Sequence, residues 1–277
     1  KAYRSDWNHF VAWCQDQGLD SLPATPQTVA LYLTALAEAG RKASTLQRRL
    51  SSISQAHQAA GYPSPTHDIQ VRTVWAGIRR VRGTKQEQVA PIVTEDLRAM
   101  IDALPDNLSG LRDRALLLVG FICALRRSEL VSLDVEDLRP TPEGLVATLR
   151  RSKTDQEGQG EEKALPYGSS PATCPVRAVQ AWLKASGITA GPLFRSVNRH
   201  GQVGASRLSD RAVANIIKRA AEGAGLDPAL YSGHSLRAGF ATSAARAGAE
   251  ERDIASVTGH KSERILRRYI RQGLLFR

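Results

Sequence analysis

Apolar residues recur at helical spacing through the first third of the chain. Tyr3, Trp7, Phe10, Val11 and Cys14 form one stripe, which Gly18 ends. Thr25 and Pro26 open a second helix, a cap followed by proline at the first position; its stripe is Val29, Leu33 and Leu36 and its stop is Gly40. Ser44 and Gln47 make a capping-box pattern ahead of a third, with Leu46, Leu50 and Ile53 facing inward. Val71, Val74, Trp75, Ile78 and Val81 mark a fourth, closed by Gly83. The stretch that follows, GTKQEQVAP, is polar and aperiodic and reads as a linker.

Beyond the linker, Thr94 caps a helix that runs to Leu104, and 112–125 is a strongly apolar helix, the core of a second domain. The pattern then changes. Residues 145–149 alternate and are rich in β-formers, and 162–165 can pair with them across a loop of Ser, Lys, Asp, Gln and Gly. Helical spacing returns at 176–185, 209–222, 234–247, 251–257 and 262–270. The fold class predicted is mainly α. An all-helical N-terminal domain (1–83) is joined by a linker (84–91) to a mostly helical second domain (92–277) with one small antiparallel β-sheet.

Charge narrows the partner. Lys and Arg number 38 against 27 Asp and Glu, a net charge of +11. Basic residues lead in both parts, eleven to six through Ala90 and 27 to 21 after it. A basic chain of this size points to nucleic acid or to an anionic surface. No apolar run approaches the roughly 18 residues that span a bilayer, and no signal peptide opens the chain, so no membrane partner is expected. The first residue, Lys1, points to a trimmed start. Cys14, Cys123 and Cys174 are scattered without metal-ligand spacing, which fits a reducing, cytoplasmic setting. No acidic cluster suggests a metal centre, and no cofactor is expected.

The chemistry gathers in four stretches. GHSLRAGF places His234 and Arg237 at i and i+3, where both can donate to one oxyanion. ALRRSEL carries Arg126, Arg127 and Glu129; RRSKTDQEG puts Lys153 in the hairpin loop; TGHKSERILRRYI holds His260 and, nine residues on, Tyr269. Singly, each has an ordinary reading as a solvated helix face, a surface charge or a half-packed ring. Together, Arg126-x-x-Glu129, Lys153, His234-x-x-Arg237, His260 and Tyr269 resemble, in order and spacing, the active site of the tyrosine recombinases, the phage integrase family. YSGHSLRAG and LSDRAV strengthen the resemblance, which spans essentially the whole chain.

The resemblance implies a site-specific DNA recombinase that cuts and rejoins duplex DNA through a 3′-phosphotyrosyl intermediate, working as a homo-tetramer on two specific target sites. It makes the N-terminal part a SAM-like, core-binding DNA-binding domain and the second part catalytic. Tyr269 would be the nucleophile. Arg126 and Arg237 would clamp the nonbridging oxygens with planar, permanently charged donors. Lys153 would protonate the leaving 5′-oxygen, His234 would share the tyrosine proton, His260 would hydrogen-bond the phosphate and Glu129 would support the site. The spacing selects Arg126 over Arg127, which on a continuous helix points about 100° away.

For DNA contact the resemblance implies Lys1, Ser44, Thr45 and Arg48 in the N-terminal domain, Arg211 as a base reader and Arg199 as a backbone contact. One departure stands out: eight residues follow Tyr269, where the family usually has a further helix that packs into a neighbouring subunit. Two rival readings are a type IB topoisomerase-like enzyme that relaxes DNA as a monomer, and a DNA-binding regulator without catalysis. The intact set of candidate residues argues against the second.

Overall fold

The computed structural model describes residues 2–83, 89–150, 160–259, 267, 269 and 270. It divides into two compact units, Lys1–Glu87 and Gln88–Arg277. Among the described residues no helix is long and apolar enough to cross a membrane.

The first unit is built from α1 (Ala2–Asp16), α2 (Pro26–Glu38), α3 (Ala43–Ala59) and α4 (Ile69–Arg82), with a 3₁₀ turn, Pro65–His67, between the last two. Its core is Phe10, Cys14, Val29, Tyr32, Leu33, Leu36, Leu46, Leu50, Ile53 and Val71. Tyr3 and Val81, which share the helical spacing, are exposed. Thr25 caps α2, its Oγ1 accepting from the Thr28 amide at 3.1 Å. The capping box expected at Ser44 is absent: α3 starts at Ala43 after an extended Lys42, with no side-chain cap, so Ser44 already lies within the first turn. His57 is fully buried as a core fastener. Its Nε2 accepts from the Ala24 amide, which leaves Nδ1 to donate to the Ile53 carbonyl, both at 2.9 Å.

The second unit runs α5 (Thr94–Asp102), α6 (Leu108–Ile122), α7 (Arg127–Ser132), β1 (Leu138–Thr141), β2 (Gly144–Leu149), β3 (Glu161–Pro166), α8 (Pro175–Ser186), β4 (Arg195–Val197), β5 (Val203–Arg207), α9 (Asp210–Gly223), α10 (Ser235–Arg246) and α11 (Glu251–Thr258). Thr94 is the first residue of α5 rather than its cap, which is Val93. Helix α6 starts earlier than its apolar run because Asn107 caps it, accepting from the Gly110 amide at 3.0 Å. It is buried without interruption from Ala115 to Phe121, against α8 and α10.

The sheet predicted from 145–149 and 162–165 is present, antiparallel, with Leu145 opposite Leu165 and Ala147 opposite Lys163. β1 extends it to the order β1-β2-β3. A second sheet, β4-β5, was not expected; its strands are short and mostly polar, too weak a pattern to stand out. The helix expected at 262–270 lies largely outside the described residues.

Candidate active site and DNA-contact residues

The apolar run does not continue as one helix into ALRRSEL. Helix α6 ends at Ile122, and Ala124 takes a left-handed conformation (φ 49°). The Ala124 amide donates to the Phe121 carbonyl at 3.0 Å and the Leu125 amide to the Gly120 carbonyl at 3.1 Å. This is a Schellman ending with alanine where glycine is usual, a strained choice for a residue with a Cβ. The turn frees the Ala124 carbonyl, which accepts from Arg237 Nη1 at 2.7 Å.

Arg126 is therefore the cap of a new helix, not a member of the old one. Glu129, buried in the first turn of α7, holds it at both ends. One carboxylate oxygen accepts from the Arg126 backbone amide at 2.8 Å and the other from its Nη1 at 2.5 Å. Glutamate three residues on is the side chain that can reach both the cap amide and the cap guanidinium. Arg126 remains partly exposed, so the grip fixes its direction without closing it off.

Arg237, on the first turn of α10, is buried. Its Nη1 is used by Ala124, while its Nη2 is buried with no hydrogen-bond partner among the described residues. Burial pushes its guanidinium down from the usual range to about 10, and the nearby charge of Arg126 pushes the same way. Glu129, Tyr269 and Glu161 act in the opposite sense, so all four of these groups lie within electrostatic reach of Arg237. Arg126 thus repels the Arg237 guanidinium, a repulsion that an anion bound between the two would relieve.

His234 is the cap residue of α10, exposed, and its amide donates to Ser232 Oγ at 3.2 Å. His234 and Arg237 thus sit at the mouth of one helix rather than along its middle. Tyr269 is half-buried and rests, with Ile270, on the apolar cluster of Ala241, Ala245 and Ile254. Lys153 and His260 lie outside the described residues. Their flanks are defined: Lys153 falls in the segment joining β2 to β3, and the left-handed Gly259 ends α11 just before His260.

The small residues of GHSLRAGF make room for two neighbours. A Cβ on Gly233 would stand 1.8 Å from Cδ of Arg127, so the Arg127 stem lies across this residue, next to His234. Arg127 does not point away, because α6 and α7 are separate helices. A Cβ on Gly239 would meet the Ile92 carbonyl oxygen at 1.8 Å. Ile92 also donates to the Ser235 carbonyl at 3.0 Å, so backbone presses on the helix that bears Arg237. Gly239→Ala should destabilise the protein by about 1–3 kcal/mol, the usual cost of overpacking, because backbone cannot swing aside as a side chain can. Urea unfolding at the wild-type midpoint would show that Ile92 yields and that this contact does not seat α10.

Of the candidate DNA contacts, Lys1 lies outside the described residues. Ser44 and Arg48 are exposed on α3, with Thr45 half-buried beside them. Arg48 is anchored to buried Asp6, donating from Nε and Nη2 at 2.6 and 3.0 Å, and this pairing holds the Asp6 carboxyl below the usual carboxylate range. Arg199 is exposed in the β4–β5 turn and Arg211 is exposed in the first turn of α9. Helical spacing did not disclose Arg127, Glu161 or Lys163, which approach the site only through tertiary contacts. One signal for Lys163 was available, a lysine at an inward position of an alternating strand.

Residues 92–273 match the phage integrase family, and residues 1–61 match the phage integrase N-terminal SAM-like domain. The chain is 44% identical over 281 residues to the integrase/recombinase XerD homologue of Selenomonas ruminantium, covering all of this chain and 82% of that protein. It is more distantly similar to the Cre recombinase of Escherichia phage P1, at 28% over 282 residues, 95% of this chain and 80% of that one. The fold resembles that of the XerH site-specific recombinase in a post-cleavage complex with its palindromic difH substrate. There the TM-score is 0.65 at 17% identity, over 90% of this chain and 69% of the other. The chain belongs to the phage integrase family, the tyrosine recombinases.

Proposed function

We propose that this chain is a site-specific DNA recombinase that cuts and rejoins duplex DNA through a 3′-phosphotyrosyl intermediate. One observation carries the reading: a buried arginine, Arg237, keeps a hydrogen-bond donor without a partner among the described residues, within electrostatic range of a second arginine that Glu129 aims and of Tyr269. That is an oxyanion clamp next to a phenol. Arg126 and Arg237 bind the nonbridging oxygens of the scissile phosphate and stabilise the charge that develops there. Tyr269 Oη attacks phosphorus, its proton passing to His234. The bond from phosphorus to the 5′-oxygen breaks, and Lys153 supplies the proton to that oxygen while His260 holds the phosphate. The phosphotyrosine keeps the energy of the phosphodiester, so a free 5′-hydroxyl reverses the step without ATP.

In this reading 1–83 is the core-binding domain, 84–91 the linker and 92–277 the catalytic domain. Four protomers act on two sites, one tyrosine per strand, on nucleoid DNA in the cytoplasm and with no membrane partner. The XerD-type and Cre relatives, both named as recombinases, support strand exchange over relaxation by a monomer and over binding without catalysis. The test is a duplex selected from random sequence and nicked so that cleavage is trapped. Wild-type protein should give a covalent band on a denaturing gel, with the 3′-phosphate on Tyr269. A band formed through a 5′-phosphate or on another residue overturns the mechanism.

The base-reading and phosphate-contacting roles separate by mutation. Arg211→Ala should cost about 1–3 kcal/mol on the best site and less on random duplex. Arg199→Ala should weaken all sequences alike and lower the salt dependence by about one counterion. Equal losses on every sequence for both variants would remove Arg211 from base recognition.

A further inference from the structure

The β2–β3 hairpin alternates as a half-buried sheet should, except at one place. Leu145, Ala147 and Leu149 face inward on β2, and Leu165 does so on β3. Lys163 also faces inward, opposite Ala147, and is only 7% exposed. A buried ammonium is costly unless it is paired and hydrogen-bonded. Lys163 Nζ donates to Glu161 Oε1 at 2.5 Å and to the Val257 carbonyl at 2.5 Å. Val257 is the penultimate residue of α11, and its carbonyl is one of the last four, which have no intrahelical donor. A cation there also meets the negative end of the helix dipole.

This ammonium joins two chain segments that matter. β3 closes the loop that carries Lys153. Helix α11 ends at Gly259, left-handed, and the next residue is His260. Glu161 Oε1 lies 3.8 Å from the position a Cβ on Gly259 would take. The Glu161–Lys163 pair therefore sits between the foot of the hairpin and the corner that leads into His260. We infer that Lys163 is a positioning residue for the recombinase site, fastening β3 to the end of α11, the two elements next in sequence to the stretches that carry Lys153 and His260. This rests on the proposed function and adds a residue to its machinery. Lys163 touches neither phosphate nor leaving group; it acts through Lys153 and His260. An apolar residue would fill the same space, but it would leave the hairpin free to slide against α11.

The test is single-turnover cleavage of the selected duplex by Lys163→Met, Lys153→Ala and the double variant. Lys163→Met should bind the duplex within about twofold of wild type and cleave it roughly 10²-fold more slowly, the scale of a small misplacement of reacting groups. Because it acts partly through Lys153, adding it to Lys153→Ala should cost much less than it does alone. On a duplex with sulfur at the 5′-bridging position the leaving group needs no proton, so the deficit of Lys163→Met should shrink, as that of Lys153→Ala should. Cleavage by Lys163→Met at the wild-type rate overturns the inference. So do fully multiplicative effects in the double variant, or thiolate rescue of Lys163→Met without rescue of Lys153→Ala, which would make Lys163 itself the acid. Should Lys163→Met fail to fold, Glu161→Gln keeps the hydrogen bond and weakens the pairing; it should show the same pattern at smaller size, and wild-type cleavage by it overturns the inference. Absence of any covalent adduct with wild-type protein is a different result and strikes at the proposed function.

Discussion

Tyr269→Phe should bind its duplex about as tightly as wild type and form no covalent adduct. The ring rests with Ile270 on Ala241, Ala245 and Ile254, a contact that phenylalanine repeats in full. The substitution therefore removes the phenolic oxygen and keeps the packing of the ring. In the proposed scheme Arg126 and Arg237 remain to hold the phosphate, so binding is expected to survive. Cleavage has no other route in the proposed scheme. Loss of the covalent nucleophile costs about 10⁶ in rate in a serine protease, a scale that is below detection on a trapping gel. A protein–DNA band that persists in denaturant with Tyr269→Phe would remove this residue from the nucleophile's role.

The helical framework was legible because burial follows the 3.6-residue period. Phe10, Cys14, Val29, Leu33, Leu46, Leu50 and Ile53 are all in the core of the first unit. Periodicity identifies the buried face but not the turn at which a helix begins. Hence Thr25 is the cap of α2, as its place before Pro26 suggests, while Ser44, which the capping-box pattern puts at the cap of α3, lies two residues inside the boundary at Lys42. Glycine marks many of the breaks among the described residues, but the break that leads into Arg126 has none. Ala124 turns left-handed within an apolar run that looks continuous. Two local backbone hydrogen bonds close the turn, and a non-local one, from the Arg237 guanidinium to its carbonyl, adds to them. A position that violates local preference and is supported by a distant side chain is where functional demand overrides propensity.

The candidate site was legible through spacing, since a three-residue step between helical partners survives any fold that keeps a helix start. Arg126 with Glu129, and His234 with Arg237, each lie at a helix entrance where i and i+3 face each other. Lys163 was hidden because its partner, Val257, is far along the chain, and Arg127, set aside in favour of Arg126 on helical geometry, is brought beside His234 by its contact with distant Gly233. No periodicity links such positions; only the fold brings them together.

Arg237→Gln should lower cleavage by about 10²–10³, the usual cost of one oxyanion donor, without unfolding the protein. The stability argument follows from the direction of the shift. Burial and Arg126 depress the Arg237 guanidinium to about 10, so the charged form is the disfavoured one in the folded protein. That penalty is fully present below pH 10 and is relieved only as pH rises through and beyond it. Replacing the cation removes the penalty along with one hydrogen bond to Ala124, and the two changes oppose each other. Arg237→Lys is the sharper test. An ammonium begins near 10.4, about two units below a guanidinium's reference value, and the same burial and the same neighbour would draw its titration toward the neutral range. It also offers a point charge where the site needs one donor for Ala124 and another for the phosphate. Cleavage by Arg237→Lys should therefore be impaired at pH 7 and should fall further as pH rises from about 7 to 9, while the wild-type profile shows no such loss from this group. Parallel pH profiles, or Arg237→Gln within tenfold of wild type, would mean that the buried Nη2 does not receive the phosphate.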